Sequence, residues 1–172
     1  MSPKAMTDNM SLPKRKPTRL NEYDYSAPGA YFVTICTHNK ECILSDIIVG
    51  EGLCALPKNI LKPIGKEVEK SIRYINENFD GAKIDKYVIM PNHIHLIVIL
   101  NNSGGHGNPP LQNIIGQLKS YTTKQFESIL WQRSFHDHII RGEKDYQKIW
   151  EYIDTNVIRW EKDCFYNDER SQ

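Results

Sequence analysis

Tyr87-Val88-Ile89-Met90-Pro91-Asn92-His93-Ile94-His95-Leu96-Ile97-Val98-Ile99-Leu100 sets two apolar, β-branched runs on either side of a Pro-Asn pair. Proline presets the first position of a tight turn and asparagine tolerates the second. The stretch therefore predicts two strands, near 84–90 and 93–100, joined as a hairpin.

Upstream, Ser26-Ala27-Pro28-Gly29 is a turn signal, and the aromatic and β-branched run Ala30–Thr37 after it predicts a buried strand near 31–37. Between that strand and the hairpin, Ile60, Ile64, Val68, Ile72 and Ile75 recur at three- and four-residue intervals, which predicts an amphipathic helix over 58–79. Downstream, residues 101–110 (NNSGGHGNPP) form a loop; no Gly-Lys-Ser/Thr follows the glycines, which argues against a phosphate-binding loop. Leu111, Ile114, Ile115, Leu118, Phe126 and Ile129 mark one face of a helix over 111–129, and Phe135–Arg141 a fourth strand over 135–141. A last helix runs from about Glu143 to Trp160, its apolar side made of Tyr146, Ile149, Trp150, Ile153 and Val157. The order β-α-β-β-α-β plus a helix predicts an α+β, ferredoxin-like antiparallel sheet with helices on one face and an extra C-terminal helix.

Composition fits such a domain. The 172 residues are 40% hydrophobic and 25% charged, as in an ordinary soluble globular chain. A formal charge of +1 excludes a binder that works by bulk positive charge, though a local basic patch is compatible with it. Such a patch exists: Lys14, Arg15, Lys16 and Arg19 fall within six positions of a segment without apolar periodicity. The chain is accordingly divided into a basic arm (1–20), a domain (21–162) and a polar tail (163–172). The four cysteines form no CxxC pair, and no apolar stretch reaches the roughly 20 residues of a membrane span. These features predict a cytoplasmic protein with no membrane partner.

The sharpest local feature is His93-Ile94-His95. Residues i and i+2 of a strand share a face, so two imidazoles stand side by side where one divalent cation could bind both. Buried rings of this kind must be hydrogen-bonded or ligate something, and the pattern alone serves either purpose. A second pair, His136-Asp137-His138, sits at the start of the fourth strand and reads more simply as a hydrogen-bonding surface. On the last helix Lys148, Tyr152, Asn156 and Arg159 share one stripe. The stripe reads as a solvated boundary with a packed tyrosine. That is the simpler reading of the helix taken alone; the same stripe would also suit a phosphate-handling face, with an attacking hydroxyl, a ligating amide and two cations for a DNA backbone.

Four segments together, Tyr31-Phe32-Val33-Thr34, Val88 to His95, Trp131 to Arg141 (WQRSFHDHIIR) and Tyr152-Ile153-Asp154-Thr155-Asn156, resemble the single-tyrosine HUH transposases of the insertion-sequence-200-like family, especially the REP-associated tyrosine transposases. The likeness spans about residues 20–160. It implies that His93 and His95 are paired metal ligands, that Asn156 is the third, and that Tyr152 is the nucleophile. It implies Mg2+ or Mn2+ as cofactor and single-stranded, hairpin-bearing DNA (a REP-like palindrome among the candidates) as partner. The activity implied is cleavage and rejoining through a 5′-phosphotyrosine, with Lys14, Arg15, Lys16, Arg19, Lys148 and Arg159 as DNA contacts in the bacterial cytosol or nucleoid. Val157 stands where relatives often have proline, which leaves the helix free to continue, and Phe135 stands where they often have tyrosine. A domesticated hairpin-binding protein that no longer cuts is the alternative from another class; monomer and homodimer are both open.

Overall fold

The computed structural model describes residues 23–49, 56–101, 110–126 and 128–166. Strands β1 (Gly29–Cys36), β4 (Ala82–Ile89), β5 (His93–Leu100) and β6 (His136–Ile140) form one antiparallel sheet in the order β4-β5-β1-β6. Helices α1 (Pro63–Asn78) and α2 (Leu111–Phe126) pack on each other and on one face of it. Helix α3 (Glu143–Thr155) lies on the other face, against β4 and β5. This is the α+β, ferredoxin-like arrangement with an added C-terminal helix. No described helix is long and apolar enough to cross a membrane.

The alternation of β5 positions the chemistry. Ile94, Leu96, Val98 and Leu100 enter the core with Val33 and Ile35 of β1, Val68, Ile72 and Ile75 of α1, and Leu111, Ile114, Ile115 and Leu118 of α2. Each such side chain contributes about 1.5–3 kcal/mol by leaving water. A slip of one residue would eject that whole set, so the register is strongly held. The same register turns His93 and His95 to the opposite face, toward α3. Strand β4 does this differently, with a bulge between Ile84 and Lys86. The extra residue shifts the phase, so that Ile84, Tyr87 and Ile89 all serve the core. Asp85 and Lys86 are thereby turned to α3, where Asp85 accepts a hydrogen bond from Tyr146 and Lys86 pairs with Asp154 at 2.6 Å while lying over the Trp150 ring.

Three helix boundaries differ from the sequence reading by three residues or more. Residues 58–61 are not the start of the helix but a strand, β3 (Lys58–Leu61), paired with β2 (Ser45–Ile48) in a separate two-stranded ribbon. Ile60 and Ile64 keep a four-residue spacing by coincidence. Pro63 occupies the first turn of α1, where its fixed φ and missing N–H suit a helix start, and Lys62 before it is extended. Gly65 follows because the Leu44 carbonyl passes 2.1 Å from where a Cβ would stand. Helix α2 stops at Phe126, and Ile129 lies beyond it, exposed. Helix α3 stops at Thr155 rather than near 160, although neither proline nor glycine ends it. Asn156 caps it in helical geometry, the amides of Arg159 and Trp160 fold back in tight turns, and a 3-10 turn follows at Trp160–Lys162. This reversal buries the Trp160 indole beside His93.

Candidate active site

His93 and His95 are fully buried, with their Nε2 atoms 3.0 Å apart. Each ring is held from behind. Asn92 Oδ1 lies 2.9 Å from His93 Nδ1, and Thr34 Oγ1 lies 2.8 Å from His95 Nδ1. The Phe32 ring stacks on His95, while Phe165 and Trp160 pack on His93. Burial is the main cause that pushes both imidazoles down to about 3; Lys40 adds to it at His93, and His93 at His95. Both rings are therefore neutral at physiological pH, the form in which imidazole ligates a metal.

Helix α3 brings Tyr152 and Asn156 to this pair. The Tyr152 hydroxyl is 3.3 Å from His95 Nε2 and 3.3 Å from Asp163 Oδ2. Asn156 Nδ2 donates to the same Asp163 oxygen at 3.1 Å. Burial first, and the Asp163 charge second, push the Tyr152 phenol up to about 12, against the lowering effect of a hydrogen bond from Asn156. The reversal at 156–159 is what returns Asp163 to the histidines: ligand atoms of His93, His95 and Asp163 all lie within 4.8 Å of one another.

These donors fit a divalent cation. Two neutral imidazoles, a carboxylate and an amide oxygen make a mixed N/O set. Asn156 Oδ1 is buried without a hydrogen-bond partner among the described residues, a costly state that a cation would relieve. Adjacent ligands of an octahedral ion at about 2.1 Å are about 3.0 Å apart, which the two Nε2 atoms match.

Arg159, Lys162 and Cys164 join Tyr152, Asn156 and Asp163 around an open cavity of about 640 Å³. Lys148 is exposed one helical turn before Tyr152, where its charge bears on Asp145. Lys14, Arg15, Lys16 and Arg19 lie outside the described residues. Tyr146 donates to Asp85 on β4. His136 pairs with Thr34 across the sheet, two strand spacings or roughly 10 Å from His95, so the second histidine pair is not in the cluster. His138 bonds Asp145 at 2.9 Å instead.

Asp163, Lys162, Asn92 and Thr34 are site residues that the sequence reading did not single out. Asn92 was legible as a turn residue and Thr34 as a strand residue, and nothing near Asp163 or Lys162 distinguishes them from other tail charges.

No protein-family model matches the chain. An uncharacterized protein of Haemophilus influenzae Rd is 36% identical over 182 aligned residues, covering 93% of this chain and 97% of the relative. Among solved structures, a REP-associated tyrosine transposase bound to a REP hairpin superposes with a TM-score of 0.61 at 19% identity, over 83% of this chain and 73% of that one. The chain thus belongs to one family with the Haemophilus influenzae protein, and its fold is similar to that of the REP-associated tyrosine transposase.

Proposed function

We propose that this protein is a metal-dependent DNA strand transferase that cleaves and rejoins single-stranded, hairpin-bearing DNA. The observation that carries the reading is the placing of the Tyr152 hydroxyl 3.3 Å from His95 Nε2, on the same Asp163 oxygen that takes the Asn156 amide. A tyrosine packed only for its bulk needs neither neighbour. The partner follows from the fold relative, whose structure holds a REP hairpin.

In this mechanism Tyr152 Oη attacks the phosphorus of a phosphodiester, and the bond from phosphorus to the 3′-side oxygen breaks. The products are a 5′-phosphotyrosine and a free 3′-hydroxyl; attack by a 3′-hydroxyl on the phosphotyrosine reverses the step and joins strands. Asp163 Oδ2 is within reach of the phenolic proton. Mg2+ or Mn2+, held by His93, His95, Asn156 and Asp163, would supply the charge that stabilises the five-coordinate phosphorus. Arg159 and Lys162 at the cavity rim, Lys148, and Lys14, Arg15, Lys16 and Arg19 of the arm position the DNA backbone without reading its sequence.

The test is incubation with labelled single-stranded DNA from the flanks of its own gene and Mn2+, followed by a denaturing gel. A covalent adduct is expected from the native chain and none from Tyr152→Phe or His95→Ala. DNA binding without an adduct would make the protein a non-cleaving hairpin binder. Hydrolysed DNA without an adduct would make it a phosphodiesterase that uses water.

A further inference from the structure

The hydrogen bonds behind the two histidines fix which ring nitrogens carry protons. Asn92 is fully buried and its amide ends have different partners: Nδ2 meets the Phe165 carbonyl at 2.8 Å, and Oδ1 meets His93 Nδ1 at 2.9 Å. A carbonyl oxygen accepts and never donates, so the amide nitrogen must be the end that faces Phe165. The amide oxygen likewise only accepts, so His93 Nδ1 must carry a hydrogen. A neutral imidazole has one N–H, which leaves a lone pair on His93 Nε2. That lone pair lies 3.0 Å from His95 Nε2. Two lone pairs at this distance repel, so His95 holds its proton on Nε2. Its Nδ1 then accepts from the Thr34 hydroxyl at 2.8 Å.

The two rings therefore stand in opposite tautomers. His93 already presents the atom a cation needs, whereas His95 has its proton there. The residues behind them differ in a matching way: an amide oxygen has one role, and a hydroxyl can donate or accept. We propose that Asn92, anchored by the Phe165 carbonyl, locks His93 in its ligand-ready tautomer, and that Thr34 is the adaptable partner that lets His95 change tautomer when a divalent cation binds. His95 is neutral before and after. One proton passes from Nε2 to solvent, one arrives at Nδ1 from solvent, and the Thr34 hydroxyl turns from donor to acceptor. Both are positioning residues, acting through the histidines. The inference rests on the reading that His93 and His95 hold the cation, and it adds how the protein prepares them.

Long-range proton–nitrogen spectra of the histidine rings test this in the full chain, whose six histidines are few enough to assign. In metal-free protein near pH 7, His93 is expected as the Nδ1–H form and His95 as the Nε2–H form. One equivalent of Zn2+, a diamagnetic probe suited to imidazole, should leave His93 unchanged and convert His95 to Nδ1–H. An Nε2–H form of His93, or a His95 unchanged by bound Zn2+, overturns the proposal. Thr34→Val keeps the shape and removes the hydroxyl; Zn2+ affinity should fall about 10–100-fold, and Thr34→Ser should restore it. Unchanged affinity in Thr34→Val overturns the part given to Thr34, and if that variant does not fold, the spectra of the native chain decide. No readout here involves DNA. The expected spectra without an adduct would reject the proposed chemistry alone, and contrary spectra with an adduct would reject this inference alone.

Discussion

Asp163 Oδ2 receives both the Tyr152 hydroxyl, at 3.3 Å, and the Asn156 amide, at 3.1 Å, so a residue beyond the last helix ties together two that are on it. The tie is electrostatic as well as geometric. The carboxylate raises the phenol it touches and, with His93 and His95, completes a cluster that suits a cation.

Asp163→Asn keeps the shape and removes the charge, which separates these effects. Mn2+ affinity should fall at least about tenfold, or about 1.4 kcal/mol. In the native chain, Mn2+ at 100 times its dissociation constant should stabilise the fold by about 2.7 kcal/mol, which for a chain of this size is about 5–10 °C in melting temperature. Differential scanning fluorimetry with and without Mn2+ checks both. The shift should shrink in Asp163→Asn and vanish in His95→Ala; an equal shift in all three proteins would remove the cluster as the binding site.

The sheet and the histidine pair were legible because each rests on local alternation. Ile94 and Leu96 point one way and His93 and His95 the other, whatever the rest of the chain does. The ribbon β2–β3 was not legible, because Lys58–Leu61 takes its structure from Ser45–Ile48, ten or more residues away, and its isoleucine fits a helical spacing by chance. Asp163 was hidden for a related reason. Its place depends on the reversal at 156–159, which in turn depends on burying Trp160, and neither proline nor glycine announces it. Tyr152 and Asn156 were visible as one stripe, but a stripe does not say what it faces.

The charge of the basic arm gives a prediction about salt dependence. If Lys14, Arg15, Lys16 and Arg19 each neutralise a phosphate of single-stranded DNA, deleting residues 1–19 should reduce the slope of log K against log salt by about 0.7 per contact, or about 3 in all. Fluorescence anisotropy with a labelled hairpin across a salt series measures this. The truncated chain should still form the covalent adduct when DNA is in excess, since Tyr152 lies elsewhere. An unchanged slope would assign the arm no part in binding.

Tyr146 is the other tyrosine on α3, and its surroundings argue that its hydroxyl is structural. It donates to Asp85 at the β4 bulge, which pushes the phenol up to about 12. Its value is thus no higher than that of Tyr152, so acidity does not separate the two; position does, because Tyr146 lies against β4 rather than the histidines. Tyr146→Phe should therefore still form the adduct and lose stability instead. A hydrogen bond to a charged group contributes about 1.5–3 kcal/mol. The loss should depend on pH in a defined sense. The Tyr146 hydroxyl is the largest cause holding the Asp85 carboxyl below its ordinary 3.8, with Lys83 assisting and burial opposing. A carboxyl depressed in the folded state contributes stability that is present above its unfolded value and lost as pH falls through its folded one. Urea denaturation should then show native and Tyr146→Phe chains well separated at pH 7 and converging below about pH 4. A gap that persists undiminished at pH 2–3 would mean that the hydroxyl acts through something other than the Asp85 carboxylate.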